Sequence, residues 1–356
     1  MKKGTIQLYK ISNSTLDKIG SVLRNSNDQT KDYDEALELL NKWRVMHAYP
    51  LNTFQPLIRK KMDLLGIKDA IVVQRLKRTS SILNKLKREN KMKLSRMQDI
   101  GGLRIILKDI NDVYSVVKTL KESKFNHKLH SEKDYINTPK DSGYRSVHLV
   151  YRYNNPRAPI ETKDLQIEIQ IRTKKQHLWA TAVETVGVFT QNDLKSSMGA
   201  EKWLEFFRYT SAIWTIDEDT NVHPKFKGIS RNDLLKNLYY ISNELDAIKN
   251  LKSYHTTMNF TDGKDQFKNK HILIEIDPSE SKVSLRAFNK NDITKASMEY
   301  LNAEIHSKSK HAVLVFADSL KQLKKAYPNY IVDTSNLIKQ LNIMFNEIDW
   351  KIKSSQ

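Results

Sequence analysis

The stretch LQIEIQIRT at 165–173 admits few conformations. Leu165, Ile167, Ile169 and Ile171 alternate strictly with Gln166, Glu168, Gln170 and Arg172, and only an extended strand turns a period of two into one apolar and one polar face. A chain with such a strand must supply a layer to cover the apolar face, and 356 residues suffice for that. Two further β-like runs, LRIIL (103–107) and SVHLVY (146–151), are separated from it by amphipathic stretches such as DVYSVVKTLKES. Strands alternating with helices predict an α/β (α+β) domain, a mixed sheet flanked by helices.

Residues 15–95 read as helical. Between 32 and 65, Ala36, Leu37, Leu40, Trp43 and Met46 recur at a helical period that Pro50 and Pro56 interrupt, and a second helix is expected from about 69 to 91. Residues 230–251 read as a connecting helix. After them come HILIEID (271–277), KVSLRAF (282–288) and HAVLVFA (311–317), then NLIKQLNIMFNEI (336–348), enough for a smaller α+β domain. The expected organisation is therefore a domain over 1–215, a connecting helix over 216–252 and a C-terminal α+β domain over 253–356.

Composition removes several function classes. No cysteine is present, which excludes disulfides, thiol nucleophiles and cysteine-bound metals. No apolar run reaches the roughly 18–20 residues that span a bilayer, so no membrane partner is expected. The start, MKKGTIQLYKISNSTLDKI, lacks a hydrophobic segment, so the expectation is no signal peptide and a cytoplasmic location. Lys and Arg number 60 against 41 Asp and Glu, a net charge of +19 that attracts polyanions such as nucleotides or RNA.

Three segments carry candidate chemistry. Basic residues cluster at Arg75, Lys77, Arg78, Lys85, Lys87, Arg88, Lys91 and Lys93, opposed by Glu89. On one helix, Lys77, Ser81, Lys85 and Arg88 would share a face, with Val72, Leu76, Leu83 and Leu86 on the other. A hydroxyl flanked by cations suits a polyphosphate; a solvated basic helix face accounts for the same residues. Asp99 stands at the mouth of the strand GGLRIIL, where Gly101 would leave room for a ligand. Glu168 lies in the polar row of LQIEIQI, which on many strands is simply the solvent face. Two carboxylates on neighbouring strands would suit magnesium beside a triphosphate. In KDYINTPKDSGYRSVHLVY (133–151), turn residues lead into a strand with Val147 and Leu149 facing the core and Ser146 and His148 opposite. There Tyr144 could offer a ring to a base, and Lys133 and Lys140 charge to phosphates; a structural tyrosine and histidine are the plainer reading. Trp43, Arg44, His47 and Tyr49 could line an adenine pocket, or form core and a helix end.

Taken in order, RLKRTSSILNK (75–85), DIGGLR (99–104), KDYINTPKDSGYRSVH (133–148) and EIQIRT (168–173) resemble the nucleotidyltransferase domain of the RelA/SpoT family, the alarmone synthetases, over roughly 45–190. The resemblance implies a nucleotidyltransferase-like sheet and transfer of pyrophosphate from ATP to a ribose 3'-hydroxyl. It places Arg75, Lys77, Ser81 and Lys85, with Arg88 on the same face, on the ATP phosphates. Asp99 would bind Mg2+, and Glu168 would share the metal or act as base. Tyr144 would stack on the acceptor base, with Lys133, Lys140 and His148 on phosphates and Gln170 and Arg172 in support. The pattern departs at Ser142, where the family has Asn, and at Ser131 and Glu132, where it has a basic residue. LWATAVE (178–184) is similar to the small single-domain synthetases, and with no His-Asp dipeptide a hydrolase domain is not expected. The acceptor implied first is GDP or GTP, giving (p)ppGpp. The alternative is the 3'-terminal adenosine of tRNA, as in toxic small synthetases, with the C-terminal domain as a fused antitoxin or phage sensor. A non-catalytic nucleotide-sensing module is a further alternative. In the synthetase reading the C-terminal domain is expected to regulate by covering or releasing the ATP side of the site.

Overall fold

The computed structural model describes residues 10–25, 30–190, 197–253, 270–277, 282–289, 292–306, 311–317 and 334–350. The period-two run is a strand, β5 (Gln166–Thr173), with Ile167, Ile169 and Ile171 fully buried. Around it lie α1 (Asn13–Asn25), α2 (Lys31–Met46), α3 (Ala48–Leu64), β1 (Ile71–Leu76), α4 (Thr79–Arg88), β2 (Gly101–Leu107), α5 (Ile110–Glu122), β3 (Lys128–Asp134) and β4 (Val147–Arg152). After β5 come α6 (Lys174–Thr190), α7 (Ser197–Asp217), α8 (Arg231–Glu244), α9 (Ala247–Ser253), β6 (Lys270–Asp277), β7 (Lys282–Asn289), α10 (Ile293–His306), β8 (His311–Ala317) and α11 (Ser335–Asn346).

Capping fixes several helix starts. The Thr30 hydroxyl accepts from the Tyr33 amide ahead of α2, Asp109 from Asp112 ahead of α5, and Ser230 from Asp233 ahead of α8. The expected break at Pro50 and Pro56 falls instead at His47, between α2 and α3. Pro50 sits in the first turn of α3, where a missing N–H costs little, and Pro56 is carried within it while Leu51, Phe54, Ile58 and Met62 bury the inner face.

The helix expected over 69–91 is a strand followed by a helix, β1 and α4. Its Val72 and Leu76 are four apart, a spacing shared by a helical face and a strand face. The β-branched run Ile71-Val72-Val73 between two strand partners settles it in favour of the sheet. Of the expected cationic face, Ser81, Lys85 and Arg88 lie on α4, whereas Lys77 lies in the β1–α4 connection.

Among the described residues, eight strands form one sheet in the order β3-β4-β5-β2-β1-β8-β6-β7, with β2–β5 parallel and all other neighbours antiparallel. β6, β7 and β8 therefore continue the sheet of the first half through β8 against β1, at Gln74↔Phe316 and Arg75↔Val315. One face of β1, β2, β4 and β5 packs under α3 and α5, joining Phe54, Ile58, Val113 and Val116 to Leu103, Ile105, Leu149 and Ile169. A second apolar cluster joins α6, α7, α8, α9 and α11, and a third joins α1, α2 and α4.

Candidate active site

Register decides which side chains share the face opposite the α3–α5 core. Glu168 of β5 pairs with Gly102 of β2, which pairs with Arg75 of β1. One step along, Lys133, His148, Gln170 and Arg104 line up across β3, β4, β5 and β2. Cross-strand partners project to the same side, so these residues form a polar floor. A cleft over it is lined by Arg75, Asp99, Gly102, Leu103, Arg104, Glu168 and Gln170.

Gly102, rather than Gly101, leaves this floor open. A Cβ at Gly102 would approach nothing nearer than 4.0 Å, whereas one at Gly101 would meet Ile167 Cδ1 at 2.9 Å and His47 Cβ at 3.0 Å. Gly101 faces the packed side because Asp99 precedes the strand and the alternation begins only after it.

The β1–α4 connection carries the first cation. Lys77 donates its backbone N–H to the Ile100 carbonyl at 2.8 Å, and its Nζ lies 2.6 Å from Asp99 Oδ2. Lys85 approaches Asp99 Oδ1 at 3.5 Å from α4. Burial favours protonation of the Asp99 carboxyl, but Lys77 and Lys85 outweigh it and hold the group at about 2. Burial lowers Lys77 in turn, against the pull of Asp99. Arg44 braces the connection from α2, with Nε on the Lys77 carbonyl at 2.9 Å, Nη1 on Asn41 and Thr79, and the guanidinium 5.1 Å from the Tyr300 ring of α10. Trp43 and His47 are likewise packed inside, His47 pushed down to about 4 by burial, while Tyr49 is exposed.

Glu168 is held from two sides. Its Oε1 lies 2.9 Å from His148 Nδ1 and its Oε2 accepts from Gln170 Nε2 at 2.9 Å. Burial favours its neutral form, yet the hydrogen bond and charge of His148 keep the carboxyl below its usual value, with Asp99 pushing the other way. The shared cleft puts the two carboxylates on one side of the sheet. His148 continues through Nε2 to the Tyr144 hydroxyl at 2.7 Å.

Tyr144 is half-buried, edge-on to Tyr135 and Trp179, and Lys140 Nζ sits 4.3 Å above the Tyr135 ring and 5.4 Å from that of Tyr144. Lys133 is exposed on the edge strand, across from His148. Arg172 is fully buried and bonded to His177 Nδ1 at 2.7 Å; burial and the adjacent Arg104 lower it to about 9. Ser81 shares the face of α4 with Lys85, whereas Arg88 is exposed and bonded to Glu89 at 3.0 Å, away from Asp99. Arg104 and Tyr135 belong to the site without having been singled out in the sequence, though each stands inside a motif, DIGGLR and KDYIN.

Electrostatically, Lys77, Lys85, Arg75, Arg104 and Arg172 outweigh the two carboxylates on this face, which suits a polyphosphate. No group of three or more His, Asp or Glu side chains with metal-binding geometry occurs among the described residues. No described helix is long and apolar enough to cross a membrane.

Residues 74–189 match the model of the region found in RelA / SpoT proteins. The chain is 35% identical over 136 residues to GTP pyrophosphokinase YwaC of Bacillus subtilis, covering 36% of this chain and 62% of that one. It is 38% identical over 116 residues to GTP pyrophosphokinase YjbM of the same organism, covering 31% and 52%. A crystal structure of small alarmone synthetase 2 from Bacillus subtilis aligns with 25% identity and a TM-score of 0.41, over 53% of this chain and 95% of that one. The chain thus spans between about half and three-fifths of the length of these curated relatives. Four motifs in order, the matching region and the curated relatives agree in what they liken this chain to: over residues 74–189 it is similar to the region found in RelA / SpoT proteins.

Proposed function

We propose that this protein transfers pyrophosphate from ATP to the ribose 3'-hydroxyl of GDP or GTP, forming (p)ppGpp and AMP. The observation that carries the reading is the convergence on one cleft of Asp99 with its two lysines and of Glu168 with the His148–Tyr144 pair. The names of the curated relatives, GTP pyrophosphokinases, support it.

In this reading the acceptor 3'-oxygen attacks the β-phosphorus of ATP, and the bond from that phosphorus to the α–β bridging oxygen breaks. AMP departs, and the 3'-proton passes to Glu168. A carboxylate kept ionised by His148 is available as that base. Lys77, Lys85 and Arg75 neutralise the phosphate charge, with Ser81 adding a hydroxyl on the α4 face. Tyr144 stacks on the acceptor base, while Lys140, Lys133 and His148 address its phosphates.

The donor set also fits Mg2+, which favours carboxylate oxygens and substrate phosphates. Asp99 Oδ1 is buried without a hydrogen bond, facing the same cleft as Glu168. Asp99 and Glu168 would hold the ion, which would offset charge on the transferring group.

The net charge of +19 favours a second acceptor, the 3' end of tRNA. One assay decides: ATP labelled in the γ-phosphate is offered GDP, GTP and deacylated tRNA in parallel. Label on the guanine nucleotide is expected; label on tRNA alone replaces the acceptor, and no transfer to any of the three refutes the enzyme. The pairing of β8 with β1 at Arg75 supports regulation of the ATP side by the C-terminal segment.

A further inference from the structure

The loop 137–145, which carries Lys140 and Tyr144, is held from outside the region 74–189. Within the loop the Gly143 amide donates to the Lys140 carbonyl at 2.8 Å, but the bonds made by the Tyr144 backbone are long: the Tyr144 amide to Ser142 Oγ at 3.4 Å and the Lys140 amide to the Tyr144 carbonyl at 3.3 Å. The bonds from α7 and the segment after it are shorter. Ser211 Oγ donates to the Gly143 carbonyl at 2.6 Å, and Arg145 Nη1 donates to Glu218 Oε2 at 2.7 Å. Ser211 and Arg145 are almost wholly buried, and the Glu218 side chain is 9% exposed. Both neighbours of Tyr144 are thus fixed by α7 or its end.

Glu218 does more than pair with Arg145. Its Oε1 accepts from Thr173 Oγ1 at the end of β5, and its Oε2 also accepts from Gln176. One carboxylate therefore ties the residue after Tyr144 to the strand that carries Glu168. The Asn221 amide donates to the Asn137 carbonyl at 2.9 Å, closing the other end of the loop. Gly143 completes the fit. Its φ is +90°, and an added Cβ would stand 2.9 Å from Ser211 Cβ, so backbone and α7 lie in direct contact.

We propose that Ser211 and Glu218 are positioning residues for the acceptor: through Gly143 and Arg145 they set the angle at which the Tyr144 ring meets a base. This rests on the acceptor reading of Tyr144 given above. Neither residue touches the cleft.

The test uses the full chain with Glu218→Gln, which keeps size and loses charge, and Ser211→Ala, a milder change should the first fail to fold. KM and kcat are measured separately for ATP and GDP, and hydrogen exchange is followed in peptides covering 137–145 and α5. Displacement of a reacting partner by about 1 Å costs on the order of a hundredfold. The expected result is therefore a kcat/KM for GDP lower by about ten- to a hundredfold, ATP KM within about twofold, and faster exchange confined to 137–145. Equal losses for both substrates, or unchanged GDP kinetics with unchanged exchange, overturn the proposal. If the wild-type protein transfers nothing to any acceptor, the functional reading fails, and exchange alone decides whether the loop is held in this way.

Discussion

Replacing Asp99 by Asn separates the energetic role of its ion pairs from their chemical role. The carboxyl is held at about 2, against about 3.9 in an unfolded chain. At roughly 1.4 kcal/mol per unit the difference is worth between about 2 and 3 kcal/mol of stability at neutral pH. Because the folded value is depressed, that stability is fully present above about pH 4 and is lost as pH falls toward 2. The Asp99 side chain is 23% exposed and that of Lys77 12%, so solvent screens the pair only in part.

The substitution also strands Lys77, whose ammonium burial already disfavours. A lysine with a depressed folded value binds fewer protons folded than unfolded, so the Asn variant gains stability as pH rises from 7 to 9. The assay is thermal unfolding of wild type and Asp99→Asn at pH 3, 7 and 9, beside pyrophosphate transfer at pH 7. The expected outcome is a loss on the order of 5 °C at pH 7, shrinking toward pH 3 and toward pH 9, with transfer abolished in folded protein. A variant that matches wild type at pH 7 and still turns over would refute both the electrostatic and the chemical argument.

Glu168→Gln should leave secondary structure intact and lower transfer by about a hundredfold or more, as expected for loss of a general base; circular dichroism and labelled-ATP kinetics check it. Tyr144→Phe keeps the ring and loses the hydroxyl with its bond to His148, so acceptor KM should change by no more than several-fold, whereas Tyr144→Ala should raise it about ten- to a hundredfold. Gly101→Ala and Gly102→Ala should differ in kind. The first forces a methyl against Ile167 and His47 and should cost about 1–3 kcal/mol in urea unfolding, while the second should unfold like wild type and weaken nucleotide binding by calorimetry. Equal melting of the two glycine variants would contradict the assignment of their faces.

What could be read beforehand follows from how locally each feature is encoded. β5 was legible because its alternation runs unbroken from Leu165 to Arg172 and its apolar side needs no knowledge of partners. β1 was hidden because the spacing of Val72 and Leu76 fits two periods, and only β2 and β8, far away in sequence, decide between them. β3 was missed for a different reason: KLHSEKD is a charged edge strand with little apolar pattern, and its pairing with β4 defines it. Asp99, Lys77, Tyr144 and Glu168 were legible because each sits in a compact motif; Asp99 and Glu168 line one cleft, Lys77 is bonded to the first, and Tyr144 is linked to the second through His148. Arg88 does not join them because α4 ends there and the side chain turns to Glu89. Ser211 and Glu218 gave no signal, since an ordinary serine on a helix and a glutamate just past its end acquire meaning only through residues dozens of positions away.

The interior place of β1 has one more consequence. At Gln74 and Arg75 its backbone is paired on both flanks, by β2 and by β8. Shortening the chain before residue 270 would strip one flank and leave an unsaturated rim beside Arg75, the kind of surface that recruits a second molecule edge to edge. Self-association of such a fragment would then change its turnover for reasons unrelated to any signal the missing segment carries.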